Sequence, residues 1–289
     1  MQTFSSFVAE ALAKGPTTGR HHYLVVDLAV AEGQDMSKEL RITTGAIDIL
    51  TGETCRWRDC ASPVLLALPG QGFGAAAAMA TERALEKWRY ANALAYIESV
   101  QPFANMCRSL QARTEALLPQ NMEVLLRFFD TRVLTRLLTL LPPIQRRLFL
   151  SAGTTWAFPD RWGHLQIERQ EAQEDSFVRP LQIDKQQEAA LIDAGDADAV
   201  VDTLLNQGTP KLEFMLPPHQ YEKVSDALAQ AKAWRIEVFS EQVAFCSLCL
   251  ELGQDFAEKA PWNQWLLDVR SGKKKFSDML AAASEGDSN

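Results

Sequence analysis

The fold class this sequence predicts is a mixed α/β lobe, with a partly parallel sheet and flanking helices, followed by an all-α lobe. Three observations carry that prediction. Up to about residue 180, apolar runs of strand length alternate with segments of helical period. Beyond about Gln182 strand patterns nearly vanish, and helical segments follow one another, broken at Gly195, Gly208, Pro217-Pro218 and Gly253. Between the two textures lies a charged connection, QEAQEDSFVRP (170–180). The implied organisation is an α/β domain over 1–180, a helical lobe over 181–280 and a polar, disordered tail, AAASEGDSN, over 281–289.

Taken in order, Phe4, Phe7, Val8, Ala11 and Leu12 have the spacing of a short amphipathic helix. The near-continuous apolar run from Tyr23 to Val30, interrupted by Asp27, reads as a strand buried on both faces. ELRITTGAIDIL and TGETCRW read as weaker strands around a turn at Thr51-Gly52, and PVLLAL as another buried strand. A helix over Thr81–Arg89, ending near Trp88, leads to the alternating strand NALAYIES. Phe103, Cys107, Leu110, Thr114 and Leu117 then form one face of a helix bounded by Pro102 and Pro119, and MEVLLRFFD reads as the next strand. Strand, helix and strand of these lengths predict a βαβ unit with two parallel strands. Asp130 is placed to cap the helix TRVLTRLLTLL, which must stop before Pro142-Pro143, and GTTWAF and GHLQIER supply the last short strands.

Bulk properties narrow the function classes. The 289 residues are 47% hydrophobic and 23% charged, enough apolar material for a substantial core. A formal charge of −8 repels nucleic acid and anionic membranes on average. No run approaches the ~18–20 apolar residues of a membrane span, and MQTFSSFVAEALAKG lacks the basic start and apolar stretch of a secretory signal. Five cysteines without framework spacing suggest a reducing compartment, so the expected location is the cytoplasm.

One stretch superficially resembles a catalytic signature. In VLLALPGQGFGAAAA (64–78), Gly70, Gly72 and Ala75 spell a variant of the dinucleotide fingerprint, and the Gly70–Gly74 loop defines an alternative reading as a nucleotide-binding enzyme. Against it, the loop follows a later strand, Pro69 precedes it, and the next strand-end acid, Glu98, comes too late for a ribose contact. Cys246 and Cys249 form a C-x-x-C inside an apolar helical run, where buried small residues explain them better than redox or metal chemistry. His21, His22, His164 and His219 carry neither metal nor triad spacing. No cofactor, metal or small-molecule substrate is expected.

The most information-dense segment is LLRFFDTRVL. Arg127 alternates with apolar neighbours on the expected strand, Asp130 sits at the strand–helix junction, and Arg132 falls in the first helical turn. A cation there opposes the helix dipole and calls for a partner. A structural network, with Asp130 capping the helix and pairing with one arginine, competes with a direct partner-binding role.

This segment, followed by RRLFLSAGTTWAF, resembles the signature of the type VI secretion effector-chaperone (adaptor) family: an arginine, two aromatics, Asp-Pro-Arg and a short apolar helix, then an aromatic-rich strand. The matching positions here are Arg127, Phe128, Phe129, Asp130, Thr131 and Arg132, with Trp156 downstream. Thr131 departs from the usual proline, which only pre-organises the helix. YLVVDLA (23–29), with Asp27, resembles the family's first strand, SPVLLAL (62–68) its second, and Trp88 its mid-domain tryptophan. The resemblance covers roughly residues 20–165. It implies a non-enzymatic cytoplasmic adaptor whose partners are a secreted effector and the VgrG spike protein. Binding through surface area favours aromatic anchors, which brings Trp162 into the set with Trp88 and Trp156.

Overall fold

A computed structural model of the chain describes residues 2–16, 19–30, 35, 46–54, 62–68, 75–171 and 174–280. The chain divides into two compact units, Met1–Leu191 and Ile192–Asn289. The sequence changes texture near Gln182, whereas the units part beyond Leu191, within a helix. Residues 181–182 still pair in a sheet of the first unit, and Ile183 and Leu191 pack on its core. The tail expected over 281–289 lies outside the described residues.

In the first unit the chain forms α1 (Phe4–Lys14), β1 (His21–Asp27), β2 (Ala46–Asp48), β3 (Pro63–Ala67), α2 (Ala75–Lys87), β4 (Leu94–Ser99) and α3 (Phe103–Ala112). There follow β5 (Glu115–Leu118), β6 (Met122–Leu125), α4 (Thr131–Leu140), α5 (Pro143–Leu150), β7 (Thr155–Pro159), β8 (Leu165–Arg169) and β9 (Leu181–Gln182). A six-stranded sheet has the order β2-β3-β1-β4-β7-β8, with every pairing antiparallel. A second sheet has the order β6-β5-β9, and there β5 and β9 run parallel.

β1 is buried on both faces, as its near-continuous apolar run predicts, but it ends at Asp27 and does not continue to Val30. Leu24 and Val26 join a layer with Phe4, Val8 and Leu12 of α1 and Leu85 of α2. Tyr23 and Val25 join the opposite layer, with Leu110 of α3, Leu134 and Leu137 of α4, and Phe149 of α5. Each of these apolar side chains contributes about 1.5–3 kcal/mol by leaving water. Gly153 is required where the chain turns into β7, because a Cβ there would lie 2.5 Å from Ile97 Cγ2 and 3.0 Å from the Glu98 carbonyl oxygen.

The expected βαβ unit does not form. β4 and the 122–125 strand lie in different sheets, and the parallel pair is β5 with β9. The physical reason is local. The helix predicted to reach Pro119 stops at Ala112, and the residues that continue its spacing form β5, which turns into β6. Gln120 and Asn121, at φ 68° and 60°, make that turn. Apolar residues three and four apart satisfy a helix, but they cannot reveal a turn that a tertiary contact imposes.

That contact belongs to Arg113, whose side chain is wholly buried just after α3. Its Nε donates to the Phe149 carbonyl at 2.6 Å, Nη1 to the Ser109 carbonyl at 2.6 Å, and Nη2 to Asp175 Oδ1 at 2.6 Å. The Ser109 and Ser151 hydroxyls also donate to Asp175, and the Phe177 ring lies 4.5 Å from the guanidinium. Burial opposes the charge on Asp175, yet hydrogen bonds and charge from Arg113, with the two serine hydroxyls, outweigh it and hold the carboxyl down to about 2. Burial lowers the Arg113 pKa, and Asp175 opposes that effect.

The second unit continues from the helix α6 (Lys185–Asn206) through α7 (Pro210–Glu213), α8 (Pro217–Ala233), α9 (Phe239–Leu252) and α10 (Trp262–Arg270). Its core joins Val200, Leu204, Val224, Leu228, Phe245 and Phe256. Cys246 and Cys249 are part of that core, and burial pushes both thiols up to about 12, away from the low values of reactive thiols.

Removing one partner of the buried pair strands the other charge, so Asp175→Ala is expected to cost about 3–5 kcal/mol in chemical denaturation. The folded pKa of Asp175 is depressed from about 3.9 in an unfolded chain. Its stabilisation is therefore complete above pH ~4 and is lost as pH falls towards the folded value. The stability gap between the native chain and Asp175→Asn should shrink across that window, and a gap constant down to pH ~2 would contradict the assignment.

Candidate functional site

Six of the eight positions singled out in the sequence gather at one end of the six-stranded sheet. β1 ends there at Asp27. β4 runs antiparallel, with Leu94 opposite Val26, so the loop 88–93 enters at the same end. β7 is antiparallel to β4, with Ala157 opposite Tyr96, which brings the turn 160–164 there too. Hydrogen bonds tie the pieces together. The Asp27 amide donates to the Ala93 carbonyl at 2.8 Å, and the Thr131 amide donates to the Asn92 carbonyl at 2.8 Å. Asn92, at φ 56°, holds the left-handed conformation that presents this carbonyl to the start of α4. Arg89 Nη1 pairs with Glu86 at 2.8 Å, and its Nη2 reaches the Gly163 carbonyl at 3.5 Å.

The RFFDTR segment resolves into two arginine–carboxylate pairs. Asp130 caps α4: its Oδ1 accepts from the Arg132 amide at 2.9 Å. The Arg132 side chain folds back on the same carboxylate, with Nη2 2.7 Å from Oδ2. Arg132 thus has the partner that its unfavourable place in the helix dipole demands. Arg127 does not lie on a strand, contrary to the alternation in the sequence. β6 ends at Leu125, and Arg127–Asp130 form a turn closed by the Asp130 amide donating to the Arg127 carbonyl at 3.0 Å. The turn lets Arg127 reach back to Asp27, Nη2 to Oδ2 at 3.2 Å. Asp27 is fully buried while the Arg127 side chain is 49% exposed, so a guanidinium at the surface answers a carboxylate in the core.

Phe128 and Trp156 lie beneath this end, inside the core, with ring centroids 6.3 Å apart. Trp156 has no exposed surface, and its Nε1 donates to the Leu150 carbonyl at 3.0 Å. Trp88 is buried as well, with the Lys87 ammonium 4.5 Å from its ring centroid. These three aromatics support the surface from below. Trp162, on the 160–164 turn, is the exposed tryptophan of the set, at 43%. Its amide and that of His164 both donate to Asp160 Oδ1, which fixes the turn.

Arg113 and Asp175 escaped the sequence reading. Asp175 sits in a stretch whose composition reads as a solvated linker, and Arg113 follows a helix that the pattern extends too far. Among the described residues no cluster of His, Cys, Asp and Glu has the makings of a metal site. The Gly70–Gly74 loop lies outside the described residues. β3, which leads into it, has antiparallel neighbours on both sides, and β1 separates it from β4. A dinucleotide fold sets those two strands side by side and parallel.

Loss of the cap and its ion pair should make Asp130→Ala less stable by about 1–3 kcal/mol, read as a lower melting midpoint. Arg127→Ala, at a half-exposed pair, should cost about 1 kcal/mol or less from the pair itself. Asp27→Ala should cost more than Arg127→Ala, since it also removes the acceptor of the Ala29 amide. Equal losses for the two variants would contradict this assignment.

Compared with known proteins, residues 22–148 match the family described as "Domain of unknown function (DUF4123)". The match runs from β1 into α5 and takes in Asp27, Trp88, Arg127, Phe128, Asp130 and Arg132, leaving Trp156 and Trp162 beyond its end. No curated protein and no solved structure matches the chain.

Proposed function

We propose that this chain is a cytoplasmic adaptor that binds a cognate type VI secretion effector and assists its loading onto the VgrG spike, with no reaction catalysed. The observation that carries the reading is the gathering of Asp27, Trp88, Arg127, Asp130, Arg132 and Trp162 at one end of a sheet, over the buried pair Phe128 and Trp156. The signature that resembles the effector-chaperone family is thus a spatial unit as well as a linear one. Its carboxylates are engaged by their own arginines, an arrangement suited to holding shape. Arg127 and Trp162 present at the surface the two residue types that most often anchor protein–protein interfaces. The match over residues 22–148 spans most of the same segment. No helix among the described residues is long and apolar enough to cross a membrane, in keeping with protein partners.

Co-expression with candidate effector and spike proteins from the same genome, followed by affinity capture of the tagged chain, tests the reading. A complex with one or both is expected. Arg127→Ala and Trp162→Ala should each weaken capture by more than their small loss of stability explains. Failure to form a complex with either protein would overturn the proposal.

A further inference from the structure

The outer strand β8 has an open edge. The Gln170 amide donates to the Thr154 carbonyl and the Asp160 amide to the His164 carbonyl, at 2.9 Å each, which sets the phase of the β7–β8 ladder. Hydrogen-bonded pairs alternate along an antiparallel ladder. Gln166 and Glu168 therefore face β7 through their backbone groups, while Leu165, Ile167 and Arg169 turn their N–H and C=O groups outward. Among the described residues no further strand follows β8 in the sheet.

Beside this edge runs a groove of about 790 Å³ between β8 and the helices α4 and α5. Leu138, Leu141 and Leu150 are among its lining residues and supply its apolar floor. The charges at its rim are unbalanced. Arg146 is taken up by Glu168. Arg147 and Arg169, both exposed, have no ion-pair partner among the described residues, and they face the single remaining carboxylate of Glu171. A rim of this sign stands out on a chain of net charge −8.

We propose that the β8 edge and its groove take up an extended peptide segment of a partner protein, added to the sheet as a further strand, whose groove-facing side chains are apolar and acidic by turns. The inference rests on the adaptor reading for the identity of the partner. Main-chain bonds to Leu165, Ile167 and Arg169 supply the pairing, and alternate side chains supply selectivity. On the face turned to the groove, apolar side chains meet the leucine floor and carboxylates meet Arg147 and Arg169 at its rim.

The probe is a fluorescein-labelled octapeptide, Val-Thr-Asp-Thr repeated twice, one face of which carries valine and aspartate by turns; it is titrated with the full chain and read by fluorescence anisotropy. Its counterpart with lysine in place of aspartate is the control. Saturable binding of the acidic peptide is expected, weakened at least about tenfold by Arg147→Glu and by Arg169→Pro. The proline removes an outward N–H that the ladder with β7 does not use, so the edge position tolerates it. Arg147→Glu leaves the ladder untouched and keeps the test decisive if the proline variant unfolds. No binding at millimolar peptide, equal binding of the lysine peptide, or affinity unchanged in Arg147→Glu would overturn the proposal. So would a concentration-dependent dimer dissolved by Arg169→Pro, which would assign the edge to a second copy of the chain. Effector capture that survives both variants would remove the groove from the adaptor's interface and leave the adaptor reading standing, whereas capture that fails with the native chain removes that reading alone.

Discussion

A buried guanidinium has five N–H donors and no water to satisfy them, and much of the first unit is arranged around meeting that demand for Arg113. Stripping an ion of its hydration costs several kcal/mol, so the charge is tolerable only where acceptors already converge. They come from three separate pieces of chain: Ser109 in α3, the Leu148 and Phe149 carbonyls with the Ser151 hydroxyl at the end of α5, and Asp175 in the segment beyond β8. Satisfying one side chain thus pins α3, α5 and the 174–178 segment to one another. The Phe177 ring over the guanidinium adds a cation–π contact to the same node.

From that node the route to the candidate site is short. α5 ends at Leu150, whose carbonyl receives the Trp156 indole N–H. Trp156 packs on Phe128, and Phe128 belongs to the turn that sends Arg127 to Asp27 and places Asp130 at the head of α4. The exposed arginine and tryptophan therefore stand on a floor of close-packed aromatics. Such an arrangement holds the two side chains in one shape, which in the proposed adaptor role would lower the entropy that binding costs.

The two arginine pairs of the RFFDTR segment divide the work. Arg132 and Asp130 close a local cap, two residues apart, and serve the helix. Arg127 and Asp27 are a hundred residues apart and join the second sheet's outgoing turn to the end of the central strand. The first pair follows from helix electrostatics and could be foreseen. The second depends on where β6 stops, which no local preference dictates.

Legibility in the sequence followed the range of the interaction. The buried central strand 21–27, the cap at Asp130, the stop before Pro142-Pro143 and the helical second unit all rest on neighbours within a few residues, and the sequence by itself determined them. It also determined that Cys246 and Cys249 belong to an apolar core. Tertiary structure decided the rest. An apolar run buried on both faces suits a parallel or an antiparallel strand equally, and only the tertiary structure shows β1 antiparallel to both neighbours. The end of α3 at Ala112, the hairpin that follows and the departure of Arg127 from its expected strand leave no mark in a three-to-four residue spacing. The first of these coincides with the burial of Arg113 against acceptors that lie up to 62 positions away along the chain. A contact between residues so far apart is invisible to any local pattern, because its free energy exists only once the intervening chain has folded to bring the partners together.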